Sequence, residues 1–134
     1  MEKQRGFTLL ELMMVVIIIG ILASMALPQF VRTTERARAA EAYVLVGSIR
    51  GAEIRLRAQD VNGFYGALGA LDVTVGASNN WGVPVITGAG TAAGFVTVAR
   101  TGGANNGQTV GITFGTGTRC GNFVPENLPA CVAD

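Results

Sequence analysis

The 134-residue chain contains no histidine. That removes Ser-His-Asp and Cys-His nucleophile pairs, histidine-bearing zinc sites and imidazole acid–base chemistry. Its two cysteines are too few for a structural zinc cluster and enough for one disulfide. Charge is scarce, at 14% of residues against 49% hydrophobic, and ten Lys+Arg offset nine Asp+Glu to leave +1. No field of one sign is therefore present to draw nucleic acid or polycations. No G-x-x-x-x-G-K-[ST] loop occurs, and the only lysine is Lys3. No pair of acids has the setting of a hydrolase site. These absences argue against an enzyme, and neither a catalytic residue nor a cofactor is expected. The length allows one domain.

What the chain does have is unevenly placed. Phe7 to Leu27 reads FTLLELMMVVIIIGILASMAL, an apolar run with Glu11 as its single charge and no proline. As a helix rising about 1.5 Å per residue it is about 31 Å long, enough for a bilayer core of roughly 30 Å. Six residues precede it, MEKQRG, with Lys3 and Arg5. A secretory signal peptide starts similarly, but its apolar run is shorter and leads to a small-x-small cleavage site; Ser24 to Ala26 offers only a weak one. Pro28 follows at once and withholds an N–H from the carbonyl of Ser24, which predicts a bend.

Beyond Pro28 the helical signature continues to about Gln59. Ala42, Leu45, Val46, Ile49, Ala52 and Leu56 recur at spacings of mostly three and four and form one apolar stripe. Arg36, Arg50 and Arg57 flank that stripe, and Glu53 precedes Arg57 by four residues in the order that favours a pair. After Asp60 the pattern stops. Residues 61–134 hold 15 of the 19 glycines and nine threonines, with only five charges. Strand-like runs lie at Leu71–Val75, Val83–Thr87, Phe95–Arg100 and Val110–Phe114, the second confined to a sheet edge by Pro84. Asn79-Asn80, Gly88–Gly90 and Gly102–Gly107 mark turns, with Asn106-Gly107 a favoured hairpin pair. The expected fold is α+β: a long N-terminal helix, membrane-type in its first half and amphipathic in its second, packed on an antiparallel sheet of three or four strands.

Glu11 is the most informative residue. A carboxylate inside a membrane-length tract is costly unless it stays near the headgroups or meets a positive partner. The tract supplies no cation. If residues 1–6 were removed, however, the new α-amine on Phe7 would be one, and a one-turn offset between two copies would bring it to Glu11. Cys120 and Cys131 are either free thiols or a bridge that staples a tail containing Pro125 and Pro129. A bridge requires an oxidising compartment, so the C-terminal half then lies outside the cytoplasm. Basic residues on both sides of the tract leave orientation to the cysteines.

Other groupings are weaker. Asp60-Val61-Asn62-Gly63 opens like a calcium loop, but Phe64 and the missing later acid make a plain turn the simpler reading, and no metal site is expected. Arg32, Arg36 and Arg38 could meet nucleic-acid phosphates, for which nothing else in the sequence speaks. A solvated helix face partly paired with Glu35 and Glu41 accounts for them more simply. Met13, Met14 and Met25 read as packing material. Trp81 suits either a surface anchor or the sheet core.

The stretch Gly6-Phe7-Thr8-Leu9-Leu10-Glu11-Leu12, the apolar run through Gly20, and Pro28 resemble the N-terminal signature of type IV pilins. The resemblance covers residues 1–28 closely. For residues 29–134 it is architectural, with the Cys120–Cys131 pair placed like the pilin C-terminal disulfide loop. The chain departs from many members in having no helix proline between Pro28 and Asp60, which implies a straighter second half. The resemblance implies a leader over residues 1–6, a polymerisation helix over 7–28 and a globular domain over 29–134. It implies cleavage between Gly6 and Phe7 by a prepilin peptidase, N-methylation of Phe7, and pairing of Glu11 with the Phe7 amine of a neighbouring subunit. Gly20 and Pro28 would bracket a stretch, with Ala23, Ser24 and Ala26, that loosens in the filament.

The implied product is a major pilin that forms a homopolymeric helical pilus for adhesion, twitching motility or DNA uptake. It would be extruded by assembly machinery with a cytoplasmic ATPase. The chain would cross the inner membrane once, N-terminus in the cytoplasm, before entering an extracellular pilus. The rivals are a pseudopilin of a type II secretion system, a membrane-anchored binding module that never polymerises, and a secreted enzyme on a signal anchor. The cysteines favour the pilus.

Overall fold

The computed structural model describes residues 6–134, so residues 1–5 of the expected leader lie outside it. One helix, α1, runs from Leu9 to Gln59, and four strands follow: β1 (Val85–Thr87), β2 (Phe95–Ala99), β3 (Thr109–Thr113) and β4 (Arg119–Gly121). The chain falls into two compact units, one reaching to Glu35 and the other starting at Arg36.

In the first unit the described residues from Gly6 to Thr33 are all exposed. A lone helix has nothing to bury its side chains against, so Leu9, Leu12, Ile17, Ile21 and Leu22 each keep more than half of their surface open. The helix carries on through Pro28.

In the second unit the periodicity governs packing. Ala39, Ala42, Val46, Ile49 and Ala52 are fully buried or within 1% of it, and they recur at three- and four-residue intervals. Leu45 and Leu56, from the same expected stripe, are half-buried at its margins. Helix α1 ends where Asp60 turns the chain. The Asp60 carboxylate accepts the N–H of Phe64 at 2.9 Å, and Gly63 takes the positive φ of +63° that the turn requires. The Asp60–Gly63 segment is thus a helix-ending turn.

The sheet is an antiparallel meander in the order β1-β2-β3-β4. Val96 pairs with Ile112 and Val98 with Val110, so alternate residues of β2 and β3 point to the core with Phe114 and Phe123. β1 lies on the edge directly after Pro84, where a missing N–H costs no ladder bond. Three expectations change. Leu71–Val75 is not a strand: a 3-10 turn at Leu68–Ala70 precedes it, and Asp72 is turned outward to Arg55. β4 is an additional strand, too short and too polar (Arg-Cys-Gly) for alternation to reveal. The β2–β3 connection is also longer than a two-residue turn. Gly107 N–H bonds back to Arg100 O at 2.8 Å, and Gly107 has φ +80°.

Trp81 belongs to the core. It is completely buried, stacks obliquely on Phe123 at 5.6 Å between centroids, and its indole N–H donates to Arg38 O at 3.0 Å.

Candidate functional site

The N-terminal end of α1 is built by four residues. Gly6, Phe7 and Thr8 are non-helical, and the helix begins at Leu9. Thr8 is its cap. The Glu11 N–H donates to the Thr8 hydroxyl at 3.3 Å, while Glu11 Oε2 accepts the Thr8 N–H at 3.0 Å and the Thr8 hydroxyl at 2.9 Å. This reciprocal arrangement is a capping box, which satisfies helix N–H groups that otherwise lack partners. The helix N-terminus also favours an anion electrostatically. Thr8 was not singled out by the sequence reading, although Thr-Leu-Leu-Glu is a T-x-x-E pattern ahead of an apolar run and signals this cap.

Glu11 is therefore held over the first turn, beside the backbone nitrogen that follows Phe7. Phe7 is 85% exposed, and apart from its chain neighbours nothing described comes within 4 Å of where a Gly6 side chain would start. The Gly6–Phe7 bond thus lies in exposed, non-helical backbone of the kind a peptidase cleft can take in extended form.

Further along the tract, Gly20 stands in open space and Pro28 within continuous helix. The Ser24 hydroxyl donates to Ile21 O at 2.7 Å, so it offers no outward donor. α1 is the one described helix long and apolar enough to cross a membrane, with none of that stretch buried.

In the second unit Cys120 of β4 is bonded to Cys131, with their Cα atoms 4.8 Å apart. The sulfur of Cys131 lies over Gly111, where an added Cβ would stand 3.0 Å from it and 2.6 Å from Val96 O. Glycine at 111 is what lets the tail come this close. The Gly121 N–H donates to Pro129 O at 2.8 Å, and Asp134 accepts the Thr116 N–H at 2.9 Å. The Thr116 hydroxyl, followed by its N–H, pulls the Asp134 carboxyl down to about 2.

Arginines of the second unit are spent on the fold. Arg36 Nε donates to Pro125 O at 3.1 Å, and Arg50 reaches the carbonyls of Thr113, Phe114 and Gly115. Arg57 donates to the Tyr65 hydroxyl at 2.7 Å rather than pairing with Glu53. The expected Glu53–Arg57 pair does not form because Glu53 is fully buried, with Oε2 accepting the Gly66 N–H at 2.8 Å and Oε1 without a partner. Burial holds that carboxyl above its usual range, opposed by the Gly66 N–H. Glu41 bonds Asn80 at 2.9 Å instead of an arginine. Among the described residues no group of three or more acids or cysteines could hold a metal ion.

The prokaryotic N-terminal methylation motif matches residues 1–27. The chain is 49% identical over 51 residues to the fimbrial protein EcpC of Eikenella corrodens, covering 38% of this chain and 33% of that one. It is 55% identical over 42 residues to the type IV major pilin protein PilE1 of Neisseria gonorrhoeae, covering 31% and 26%. It is also 56% identical over 36 residues to the type II secretion system core protein G of Escherichia coli K12, covering 27% and 25%. The chain thus spans a third or less of the length of these relatives. No solved structure matches it. Over its N-terminal segment the chain is thus similar to fimbrial and type IV pilin proteins, and its helix-on-sheet fold is α+β.

Proposed function

We propose that the chain is the major subunit of a type IV pilus. A prepilin peptidase cuts between Gly6 and Phe7 and methylates the new amine, and copies then polymerise through α1. The observation that carries this reading is a membrane-length helix end, exposed on every side, whose only charge is a capped Glu11. Lipid already satisfies such a surface, so it leaves the bilayer at little cost only where identical surfaces replace the lipid contacts. Glu11 then exchanges its bond to the Thr8 backbone for the Phe7 amine of the adjoining subunit, and a stranded pair of charges is neutralised. The sequence holds no G-x-x-x-x-G-K-[ST] loop, so the work of extraction is assigned to a cytoplasmic ATPase of the assembly machinery. The span crosses the inner membrane with its N-terminus in the cytoplasm. The second unit enters the oxidising side, as the Cys120–Cys131 bond requires. In the fibre, the stretch between Gly20 and Pro28 loosens, since Pro28 provides no N–H to hold it.

The test has two parts. Mass spectrometry of the chain from producing cells gives a subunit starting at Phe7 with one added methyl. Glu11→Ala leaves a folded, membrane-bound subunit and abolishes fibres sheared from the surface. Normal fibres from that variant would remove the carboxylate from the mechanism. The likeness to the secretion-system core protein G favours one second reading, a pseudopilus subunit. Surface fibres made without any secretion system in the cell discriminate for the pilus.

A further inference from the structure

After Glu11 the next charged side chain on α1 is Arg32, 21 positions on. At about 1.5 Å per residue the two are about 31 Å apart along the axis, which matches a hydrocarbon core of roughly 30 Å. The only polar side chains between them are Ser24, whose hydroxyl is turned back to Ile21 O, and the uncharged Gln29. The apolar surface continues past Pro28: Phe30 is 70% and Val31 50% exposed. Just beyond, Thr33 and Thr34 return their hydroxyls to Gln29 O and Phe30 O at 3.0 and 2.9 Å. Exposed Arg32 therefore carries the outward donors at this level of the first unit. The next arginine, Arg36, is held by Pro125 O, and Arg38 has a partner within the chain.

We infer that Arg32 is a headgroup anchor: before assembly its guanidinium forks onto the phosphate of a lipid in the leaflet farther from Phe7, which sets the immersed segment at Leu12–Val31. Guanidinium matches a phosphate's paired oxygens better than any other side chain does, and a long stem lets it sit at the interface while neighbouring residues stay in hydrocarbon. The inference rests on the membrane stage of the function proposed above. It makes Arg32 a residue that extraction must release, because a filament core offers no lipid phosphate.

The experiment places the full chain, with arginine Cζ labelled by carbon-13, in liposomes of phosphatidylglycerol and phosphatidylcholine in phosphate-free buffer. Rotational-echo double resonance then reads dephasing of the guanidinium carbon by lipid phosphorus. Arg32→Gln is measured beside it, so any contribution from leader Arg5 is common to both. Flotation on a density gradient first reports whether each chain is in the bilayer. The expected result is that both chains float and the Arg32→Gln chain loses most of the dephasing seen in the parent. If both float and the dephasing is unchanged, the anchor is wrong while the membrane stage stands. If the parent does not float, the membrane stage fails and the anchor falls with it.

Discussion

Glu53 follows Ile49 by four residues and Val46 by seven, so its Cβ lies on the phase of α1 that the core occupies. The same spacing that marked the apolar stripe also marked this carboxyl for burial, although its four-residue offset from Arg57 suggested a surface pair. The core position prevails because a side chain on that phase cannot reach solvent without breaking the helix–sheet contact. The cost is a carboxyl with one amide partner and one unsatisfied oxygen. Because burial raises its folded pKa above the unfolded value, its contribution is fully present below the unfolded carboxyl range. That contribution is lost as pH rises through the folded value. Glu53→Gln keeps an acceptor for Gly66 and never ionises. Urea unfolding of the detergent-solubilised chain should give similar stabilities for the two at pH 4. The glutamine form should gain with rising pH, by no more than about 1.4 kcal/mol per pH unit. Parallel curves from pH 4 to pH 8 would mean that the buried carboxyl is compensated by something else.

Among the elements, α1 was the most legible, because its two halves advertise themselves by different patterns, an unbroken apolar run and a stripe. β2 alternates in burial, β3 does so except at Gly111, and the positions of both were readable within a residue or two. The run at Leu71–Val75 has the composition of a strand and is not one. No neighbouring strand is available to it, and its backbone follows the 3-10 turn while Asp72 forks onto Arg55 through 3.0 and 2.7 Å bonds. β4 was invisible for the opposite reason: its three residues pair with β3 at Val110–Ile112 through backbone alone. The capping box at Thr8 is legible as T-x-x-E ahead of an apolar run. β4 also carries the bridge that fixes the tail.

With the loop between Cys120 and Cys131 this short, the loop-closure estimate for the disulfide is about 3 kcal/mol. Cys120→Ser with Cys131→Ser should lower unfolding stability by about that amount. Hydrogen exchange should speed first at the Gly121 amide, which donates to Pro129 O, and at the Thr116 amide, which donates to Asp134. The amide of Val98, in the middle of β2, should change only with global unfolding. Uniform acceleration at all three sites would show that the tail and sheet are one cooperative unit.

At the scale of the whole molecule, two surfaces with different solvents share one chain. Most of the mean hydropathy of +0.42 comes from the tract before Pro28, while among the described residues the unit from Arg36 onward holds every buried apolar one, from Ala39 to Phe123. Folding of that unit is driven by burial within itself, around Val46, Ile49, Trp81 and Phe114, so the exposed tract contributes little to it. A fragment of residues 29–134 should therefore be soluble without detergent, unfold cooperatively, and keep its Cys120–Cys131 bond. Its urea midpoint should lie within experimental error of the full chain's value in detergent, and it should form no fibres at any concentration. The two properties separate cleanly under analytical ultracentrifugation and far-UV circular dichroism. A fragment that stays monomeric and folded places the polymerising surface before Pro28. One that assembles into threads unaided would move that surface into the second unit and leave the apolar tract as a membrane tether alone.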